Sequence, residues 1–538
     1  MKTHFLIAVV LLCNAYTTAQ EFTQSELPII VLTTTIEEIP DEPKVLGGMG
    51  IIYGGEGVVN QLTDSFTEYN GNIGIETRGN STQGFDKKTY TLELWDAELN
   101  EISVNLLGMG GEEDWVLHAM VIDKTQLRIP MSFYLAQQMG HYAADWRYVE
   151  VTLNGQYQGI YILTEQIKRD DDRVDIAKLD LDDLAGDSLT GGYILRMDWT
   201  WDVDYEDLFF SEYNSQAGYP MPYQYYYPKA SNILPTQKTY IKGFMDEFEN
   251  AVFSDDYTNS QGFRYNDYID TKSFVDFLLI NEFSKNSDGY KLSSYMHKDR
   301  DDNDSRLKAG PIWDFDQTYG LSTVCSSNVT NGWTYLQNQD DCGDLESMPM
   351  FWQAMMEDTL FQNATYCRWN ELREGPLHQD SLFNWIDSYV FSLTNPLERN
   401  FETWDFIGEQ IWIEPDNFPD TYEGEIEYLK NWMTERLTWM DDNMPGSCDY
   451  NWLSTEDISP LGEYSIYPNP TSNEVFIYPS PESNSMVYVY NSLGQIVLKK
   501  RGREFKGKLS LHNFPEGMYF LRINGMKSTT TKKIQLQR

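Results

Sequence analysis

The net charge of the chain changes sign near residue 464, and this change limits how the chain can fold. Residues 464–538 carry eleven Lys or Arg against four Glu and no Asp, a net charge of +7. The whole chain carries −43, so the residues before them carry −50. A chain of 538 residues is also too long for one core, because single cores stop growing near about 250–300 residues. The sequence therefore predicts a body over residues 20–448, a polar linker over residues 449–463 and a separate unit over residues 464–538.

The first nineteen residues have the pattern of a secretory signal peptide. Lys2 is followed by an apolar run from Phe5 to Leu12, and small or polar residues lead to a predicted cleavage site near Ala19. Cys13 raises the alternative of a lipid anchor, but Leu12 stands where a small residue would be needed. No later stretch has the roughly 20 apolar residues that a membrane-spanning helix requires. We therefore expect an exported protein without a transmembrane segment.

The composition indicates a folded chain and excludes one class of partner. Hydrophobic residues make up 41% of the chain and charged residues 23%, which is ordinary for globular domains. Nucleic acids bind to concentrated Lys and Arg, and the residues before 464, with a net charge of −50, would repel them. The sequence therefore predicts no nucleic-acid partner.

Four cysteines remain once the signal peptide is set aside. An even number of cysteines in an exported chain favours disulfides, and four allow three pairings. We favour Cys325–Cys342, which closes a short polar loop, and Cys367–Cys448, which ties the ends of a helical segment. The alternative is four free thiols. No pair has the close spacing of a zinc site.

Hydrophobic periodicity predicts an α+β body with strands first and helices later. Alternating runs predict β-structure over residues 27–110 and a hairpin that turns at Asn154-Gly155. Helical spacing predicts helices over residues 123–139, 238–252 and 271–284, and a largely helical stretch over residues 345–445. Short alternating strands from Tyr464 onward predict a small all-β sandwich of about 75 residues.

Carboxylates are the main catalytic candidates, because the six His residues are scattered and no zinc-protease or hydrolase motif is present. Asp288 follows the third predicted helix, and Asp314 and Asp316 follow a strand. Phosphoryl transfer needs one carboxylate near the attacking hydroxyl and others that hold magnesium. Asp314-Phe315-Asp316 has the place of a kinase's metal-binding segment, and Asp288 that of its catalytic aspartate.

A series of short motifs runs through residues 27–445 in a fixed order. They are Arg78-Gly79-Asn80-Ser81-Thr82, Lys87-Lys88-Thr89-Tyr90, Leu106-Leu107-Gly108-Met109, Trp115-Val116-Leu117, Asp123-Lys124-Thr125, Gly159-Ile160-Tyr161-Ile162-Leu163-Thr164-Glu165, Gly191-Gly192-Tyr193-Ile194-Leu195 and Trp313-Asp314-Phe315-Asp316. This series resembles the spore coat protein H (CotH) kinase family. The resemblance implies an atypical protein-kinase-like fold that transfers phosphate from ATP, with magnesium, to Ser or Thr of secreted proteins.

The resemblance also implies roles for individual residues. Asp288 would orient and deprotonate the acceptor hydroxyl, while Asp314 would bind magnesium. Lys88, Arg78 and Asn80 would contact the ATP phosphates. The strand that ends at Glu165 would lie against the adenine.

One position departs from the family pattern. The catalytic loop should read D-x-x-x-x-N, with Asn as the second metal ligand, but five residues after Asp288 stands Ser293. A Ser hydroxyl is a poorer magnesium ligand than an Asn carbonyl. Either Asp316 supplies the missing ligand, or the protein is weakly active or inactive.

The last unit carries motifs of its own. Tyr467-Pro468-Asn469-Pro470-Thr471 is followed by Asn491-Ser492-Leu493-Gly494-Gln495, by Leu511 with Gly517-Met518-Tyr519, and by Lys532-Lys533. These resemble the type A sorting domain of the type IX secretion system of Bacteroidetes. The resemblance implies a partner in the outer-membrane export machinery and a secreted or cell-surface location. The alternative for a β-sandwich is sugar binding.

Two other functions remain open for the body. A non-catalytic adhesin or glycan-binding module is suggested by Ser293 and by the aromatic stretch from Tyr219 to Tyr227, since exposed rings can stack on sugars. A glycoside hydrolase would need two carboxylates that flank one bond. Sequence alone does not give that separation.

Overall fold

The computed structural model describes residues 22–448 and 465–537, apart from residue 80, residue 202 and residues 216–217, 338–341 and 343–347, and short gaps at 468–470, 472, 479–485, 492–495, 502–507, 513 and 525–528. The predicted signal peptide and the linker therefore lie outside the described residues. No helix among the described residues is both long and apolar enough to span a bilayer.

The first part of the body is a closed barrel of seven strands. Its strands are β2 (Ile29–Thr34), β3 (Val45–Ile52), β5 (Tyr69–Arg78), β6 (Thr89–Trp95), β9 (Asp114–His118), β10 (Trp146–Leu153) and β11 (Gln156–Glu165), and their order is β10-β11-β9-β6-β5-β3-β2. The ring closes because β2 pairs with β10 in parallel, with Ile29 opposite Glu150. Alternate residues such as Ile73, Leu92 and Leu117 fill the interior. Two short pairs lie beside the barrel: β1 (Gln24–Ser25) with β4 (Asn60–Gln61), and β7 (Val104–Asn105) with β8 (Gly111–Glu112).

The second part of the body combines a five-stranded sheet with helices. The sheet order is β13-β14-β12-β15-β16, from β12 (Tyr193–Met197), β13 (Leu208–Asn214), β14 (Pro220–Tyr227), β15 (Ser294–Lys298) and β16 (Leu307–Ala309). The helices are α1 (Arg128–Gln138), α2 (Pro235–Val252), α3 (Tyr265–Tyr268), α4 (Thr271–Ser284), α5 (Met350–Glu357), α6 (Thr359–Arg373), α7 (Gln379–Ser392), α8 (Thr394–Thr403) and α9 (Tyr422–Asn443). One large core, with Phe277, Trp352 and Met433 among its members, joins them. The body is therefore β-rich first and helical later, as the hydrophobic pattern predicts.

Helix α1 begins later than its periodicity predicts. The pattern suggests a start at Asp123, but the helix begins at Arg128. The carboxylate of Asp123 accepts hydrogen bonds from the backbone N–H groups of Thr125, Leu127 and Arg128, at 3.1, 3.0 and 2.8 Å. An Asp that bonds the backbone ahead of it favours a turn over a helix, so residues 123–127 form a turn before the helix.

Both favoured disulfides are present. Cys325 bonds to Cys342 across 17 residues, and Cys367 bonds to Cys448 across 81 residues. On the chain-entropy account, loops of these lengths stabilise the folded body by about 3 and about 4–5 kcal/mol respectively. The longer link joins α6 to the residues that follow α9, so it holds the end of the body.

The described part of the tail consists of strands in two sheets that share one core. A three-stranded sheet contains β17 (Ser465–Tyr467), β18 (Glu474–Tyr478) and β21 (Lys508–Ser510), and a four-stranded sheet contains β19 (Met486–Asn491), β20 (Ile496–Arg501), β22 (Gly517–Asn524) and β23 (Thr529–Leu536). Val475 and Leu509 from the first sheet pack with Val487 and Leu521 from the second. This is the layer arrangement expected of a small β-sandwich.

Candidate active site

The loop that carries Asp288 is fixed by the end of α4. Lys285 ends the helix in a left-handed conformation, with φ of 45°. Asn286 accepts a hydrogen bond from the Asp288 N–H at 3.1 Å through its side-chain oxygen. A Cβ at Gly289 would lie 2.6 Å from the side-chain oxygen of Asn281, so only glycine fits there. The half-buried Asp288 side chain is thus presented by a tightly constrained turn.

A buried ion pair between Glu282 and Arg436 lies next to this loop. Glu282 in α4 accepts hydrogen bonds from the Thr334 and Tyr335 N–H groups at 2.7 and 2.9 Å and from the Tyr290 hydroxyl at 2.9 Å. Arg436 in α9 donates to the Glu282 backbone carbonyl through Nε at 2.9 Å and lies 3.3 Å from its carboxylate. Both side chains are fully buried. Burial raises the pKa of Glu282 and lowers that of Arg436 to about 10.

The second acidic loop follows β16 and is fixed just as tightly. Asp314 adopts a left-handed conformation with φ of 61°, while Phe315 is buried in the large core. Thr318 donates to the Phe315 carbonyl at 2.7 Å, and Arg128 at the start of α1 donates to the Thr318 carbonyl at 3.0 Å. A non-glycine residue at positive φ is strained, and such residues cluster at functional sites.

The two loops meet through polar contacts. The Ser287 hydroxyl, next to Asp288, donates to the Gln317 side chain, next to Asp316, at 3.4 Å. Ser293 makes a side-chain hydrogen bond to Asp314 that lowers the pKa of this carboxyl, although burial raises it more. The structure therefore brings together four residues singled out from the sequence: Asp288, Ser293, Asp314 and Asp316.

Negative charge is concentrated at this meeting point. Burial raises the pKa of Asp316 well above its usual range, and the charges of Asp314, Asp288 and Asp123 raise it further. Asp198, at the end of β12, also raises the pKa of Asp314. Such a cluster of carboxylates is unfavourable without a compensating cation, so its electrostatics suit a metal ion.

The outer face of the barrel contributes Arg78 and His118. Tyr90 in β6 and Leu117 in β9 face the barrel interior. Because side chains alternate along a strand, their neighbours Thr89 and His118 face outward. Arg78 pairs with Thr89, and the Thr89 hydroxyl accepts from the N–H of Ala119, the residue after His118, at 3.1 Å. Ligand atoms of His118, Asp314 and Asp316 lie within 4.8 Å of one another. Arg78 lowers the pKa of Asp314 and has a buried Nη1 with no hydrogen-bond partner among the described residues.

The hydrogen bonding of His118 limits its role. Nδ1 accepts from the Met120 N–H at 3.1 Å, so in the neutral ring the proton is on Nε2. Burial, with the charges of Arg78 and Lys87, lowers the pKa of His118 to about 3, so the ring is neutral near pH 7. In this tautomer Nε2 is a hydrogen-bond donor. His118 is therefore suited to hydrogen-bond a carboxylate or phosphate oxygen rather than to ligate a cation.

The two adjacent lysines before β6 point to different places. Lys88 donates to the Gln83 carbonyl at 2.6 Å and lines a pocket with residues 37–41. Lys87 is buried and donates to the Ala119 and Ile160 carbonyls at 3.1 and 2.6 Å, and burial lowers its pKa to about 7. After burial and the charge of Arg78, the charge of Lys87 also lowers the pKa of His118. A phosphate contact by Lys88 stays a prediction.

Glu165 is held by contacts at the end of β11. Its carboxylate accepts from the Asp145 N–H at 2.9 Å and from the Tyr142 hydroxyl at 3.1 Å, and it lies 3.5 Å from Arg173. These contacts orient the strand end that the sequence assigns to adenine. Asn80 lies outside the described residues, so its phosphate contact also stays a prediction.

Sequence reasoning did not single out His118, Asp198 or Lys87 as site residues. The sequence did contain a signal for His118. Alternation along the strand after Trp115 places residues 116 and 118 on the outer face, where Arg78 also lies. Asp198 follows the Gly191–Leu195 motif by three residues and carries no pattern of its own. Which of Lys87 and Lys88 has a buried side chain depends on the backbone conformation just before β6, and the sequence does not give that conformation.

The rings that suggested glycan binding are mostly packed inside. Residues 220–227 form strand β14, with Tyr223 and Tyr225 buried in the large core. The Tyr226 hydroxyl donates to the Ile167 carbonyl at 2.7 Å. Tyr219, just before the strand, is 45% exposed. This stretch therefore does not present a row of exposed rings.

Comparison with known proteins finds two family models in the chain. The model described as "CotH kinase protein" matches residues 75–440, about two thirds of the chain, and includes every candidate site residue named above. The model described as "Secretion system C-terminal sorting domain" matches residues 465–537. Beta-agarase A of Zobellia galactanivorans is 38% identical over 77 residues, which are 14% of this chain and 14% of the agarase. The chain thus spans about a seventh of that relative, and a match of this length is too short to include the body.

Proposed function

The chain belongs to the CotH kinase protein family and ends in a type IX secretion sorting domain, and on that premise we propose that its body transfers phosphate from ATP to Ser or Thr hydroxyls of exported proteins. The observation that carries this proposal is the convergence of Asp288, Asp314 and Asp316 beside Arg78. Phosphoryl transfer depends on such positioning and on charge stabilisation. The sorting domain indicates export, so the acceptor is a secreted or surface protein.

The residues at the site fit magnesium and a nucleotide phosphate. Asp314 and Asp316 offer buried carboxylate oxygens whose mutual repulsion a cation would relieve. Arg78 offers a buried N–H group that has no hydrogen-bond partner in the described part of the chain, which suits a phosphate oxygen. Asp314 and Asp316 would hold magnesium, with Ser293 beside Asp314, and the ion would neutralise charge on the phosphates.

The chain's own groups would perform the remaining tasks. Asp288 would orient the acceptor hydroxyl and take its proton as the oxygen bonds to the γ-phosphorus and ADP leaves. Arg78 would hold the phosphate oxygens, and neutral His118 would donate a hydrogen bond from Nε2 to the carboxylates or the phosphate. Glu165 would fix the strand end against which the adenine rests.

Labelled ATP tests this function directly. We expect the purified protein to incorporate γ-phosphate into Ser or Thr of co-secreted proteins, and EDTA to abolish incorporation because the acidic cluster then lacks its cation. Phosphoamino-acid analysis and mass spectrometry of the acceptors would measure this. Nucleotide binding without any transfer would contradict the kinase proposal and favour a non-catalytic binding protein.

Ser293 offers a test by gain of function. We expect Ser293→Asn to lower the magnesium concentration needed for half-maximal transfer about tenfold, because an amide oxygen replaces a weaker ligand. The Ser293→Ala variant is the matched control, since it removes the hydroxyl that bonds Asp314 and adds no ligand. If Ser293→Asn behaves like Ser293→Ala, position 293 does not face the metal.

A further inference from the structure

A cavity lies between helices α1 and α7 and the start of strand β10, and we call it the α1–α7 pocket. Its volume is about 480 Å³, within the range of about 300–1,000 Å³ that small-molecule sites occupy. Tyr134 of α1, Trp146 and Arg147 of β10 and Tyr389 of α7 are among the residues that line it. None of the candidate active-site carboxylates lines it, so it is separate from that site.

Aromatic rings form the apolar part of the α1–α7 pocket. Tyr134, Trp146 and Tyr389 line it, and each is half-buried. All three rings pack on Trp385, whose centroid lies 5.6 Å from that of Tyr134, 6.5 Å from that of Trp146 and 4.4 Å from that of Tyr389. Trp385 is only 9% exposed and does not line the pocket. Rings that are held in this way form a rigid apolar surface for the C–H groups of a ligand.

The hydroxyls of Tyr134 and Tyr389 are available to a ligand. Neither has a hydrogen-bond partner among the described residues, and neither is among the buried polar atoms that lack one, so both are accessible. Burial raises the pKa of Tyr389, the charge of Arg147 lowers it, and Tyr134 raises it further, so the three groups lie near one another. A tyrosine hydroxyl can both donate and accept.

Arg147 supplies the charged donor of the pocket. Its Nη1 donates to the Trp146 carbonyl at 2.7 Å, while Nε and Nη2 have no hydrogen-bond partner in the part of the chain that the structure describes. Among the arginines of the described body, all but Arg78 and Arg147 form an ion pair. Arg78 lies at the candidate active site, and Arg147 keeps its donors for the α1–α7 pocket.

Three carboxylates also line the pocket, those of Glu26, Glu56 and Asp145. Glu26 lies 3.4 Å from Arg399, and Glu56 is exposed. Asp145 accepts from the Gln137 side chain at 3.0 Å through Oδ1, and Gln137 itself lines the pocket. These carboxylates disfavour an anionic ligand, and the guanidinium beside the tyrosine hydroxyls disfavours a cation at the rings. A neutral ligand with both donors and acceptors fits the lining better than either.

We propose that the α1–α7 pocket binds a neutral saccharide, whose pyranose ring packs its C–H face on Trp146 and Tyr389 while its hydroxyls accept from Arg147. Asp145 and Gln137 would accept hydrogen bonds from other hydroxyls of the sugar. A pyranose ring has an apolar face and hydroxyls that both donate and accept, so it meets the rings, the donors and the acceptors of the pocket together. This site does not depend on the kinase proposal.

A glycan array probed with the full-length protein tests the ligand class. The array carries neutral glycans, and counterparts of the same core that contain a uronic acid or a free amino group. We expect neutral members to bind, and their charged counterparts to bind at least about tenfold more weakly, because each charge would face a like charge in the pocket. The absence of binding to any neutral glycan, or equal or tighter binding of the charged counterparts, would overturn the proposal.

Two variants locate the binding. Tyr389→Phe removes only a hydroxyl without a partner among the described residues, and Arg147→Met removes a guanidinium that forms no ion pair there. We expect each to weaken calorimetric binding of the best neutral glycan at least about fivefold, because each removes a hydrogen bond to the sugar.

Arg306→Met is the matched control for these variants, since it removes an arginine outside the pocket and should leave the affinity unchanged. Thermal unfolding shows whether each variant is folded, and if Arg147→Met does not fold, Tyr389→Phe decides alone. Unchanged affinity in the pocket variants would assign the glycan to another part of the chain, such as the sorting domain, and would overturn the proposal.

Discussion

Replacing Asp314 by Asn is expected to reduce phosphate transfer about 100- to 1,000-fold, equivalent to about 3–4 kcal/mol of barrier, because the site loses a charged magnesium ligand. The same change should leave the magnesium-free protein at least as stable as before. Burial and the charge of Asp198 already raise the pKa of Asp314, so the charged form is disfavoured in the fold. Single-turnover transfer rates and thermal unfolding measure the two effects.

Asp302→Asn is the matched control for this variant. Asp302 lies in the exposed hairpin between β15 and β16, where its side chain is 47% exposed beside Arg300. Its loss should change neither transfer nor magnesium dependence. If Asp314→Asn keeps full activity, or if it loses activity only by unfolding, Asp314 does not bind the metal.

The Arg436→Met variant should lose about 3–5 kcal/mol of unfolding free energy, because it leaves the buried carboxylate of Glu282 without its cation. Arg436 also donates through Nη1 to the Thr330 and Gly332 carbonyls at 2.9 and 2.7 Å, and these contacts are lost as well. Urea unfolding followed by tryptophan fluorescence measures the effect.

Two comparisons separate this ion pair from an ordinary one. Arg306→Met removes a pair whose arginine is 45% exposed, and we expect it to cost at most about 1 kcal/mol. Adding Glu282→Gln to Arg436→Met should recover part of the loss, since it removes the unpaired charge. Equal losses for Arg436→Met and Arg306→Met would show that the buried pair does not support the loop that carries Asp288.

The two acidic loops could be located from the sequence, because their signals are local. The helix predicted over residues 271–284 has those bounds in the structure, and Asp288 follows it within four residues. Chain order alone suggested that the loops of Asp288 and Asp314 converge, and the Ser293–Asp314 and Ser287–Gln317 contacts confirm that they do. The motifs also predicted the family that the comparisons found.

The barrel and its contribution to the site could not be predicted in the same way. Closure depends on a parallel pairing of Ile29 with Glu150, residues more than a hundred positions apart, and no local pattern specifies a partner at that distance. That Arg78 and Thr89 lie beside the end of β9, which carries His118, follows only once the strand order is known. The start of α1 was predicted too early because hydrophobic spacing does not register a side chain that bonds the backbone ahead of it.

The Cys367–Cys448 bond has a consequence for processing. Cys448 is the last residue before the linker predicted over residues 449–463, and it is covalently attached to α6. A protease that cut within that linker would separate the sorting domain without creating a loose end on α9, since the new terminus would start from an anchored residue. The body and its sorting domain can therefore have different lifetimes after export.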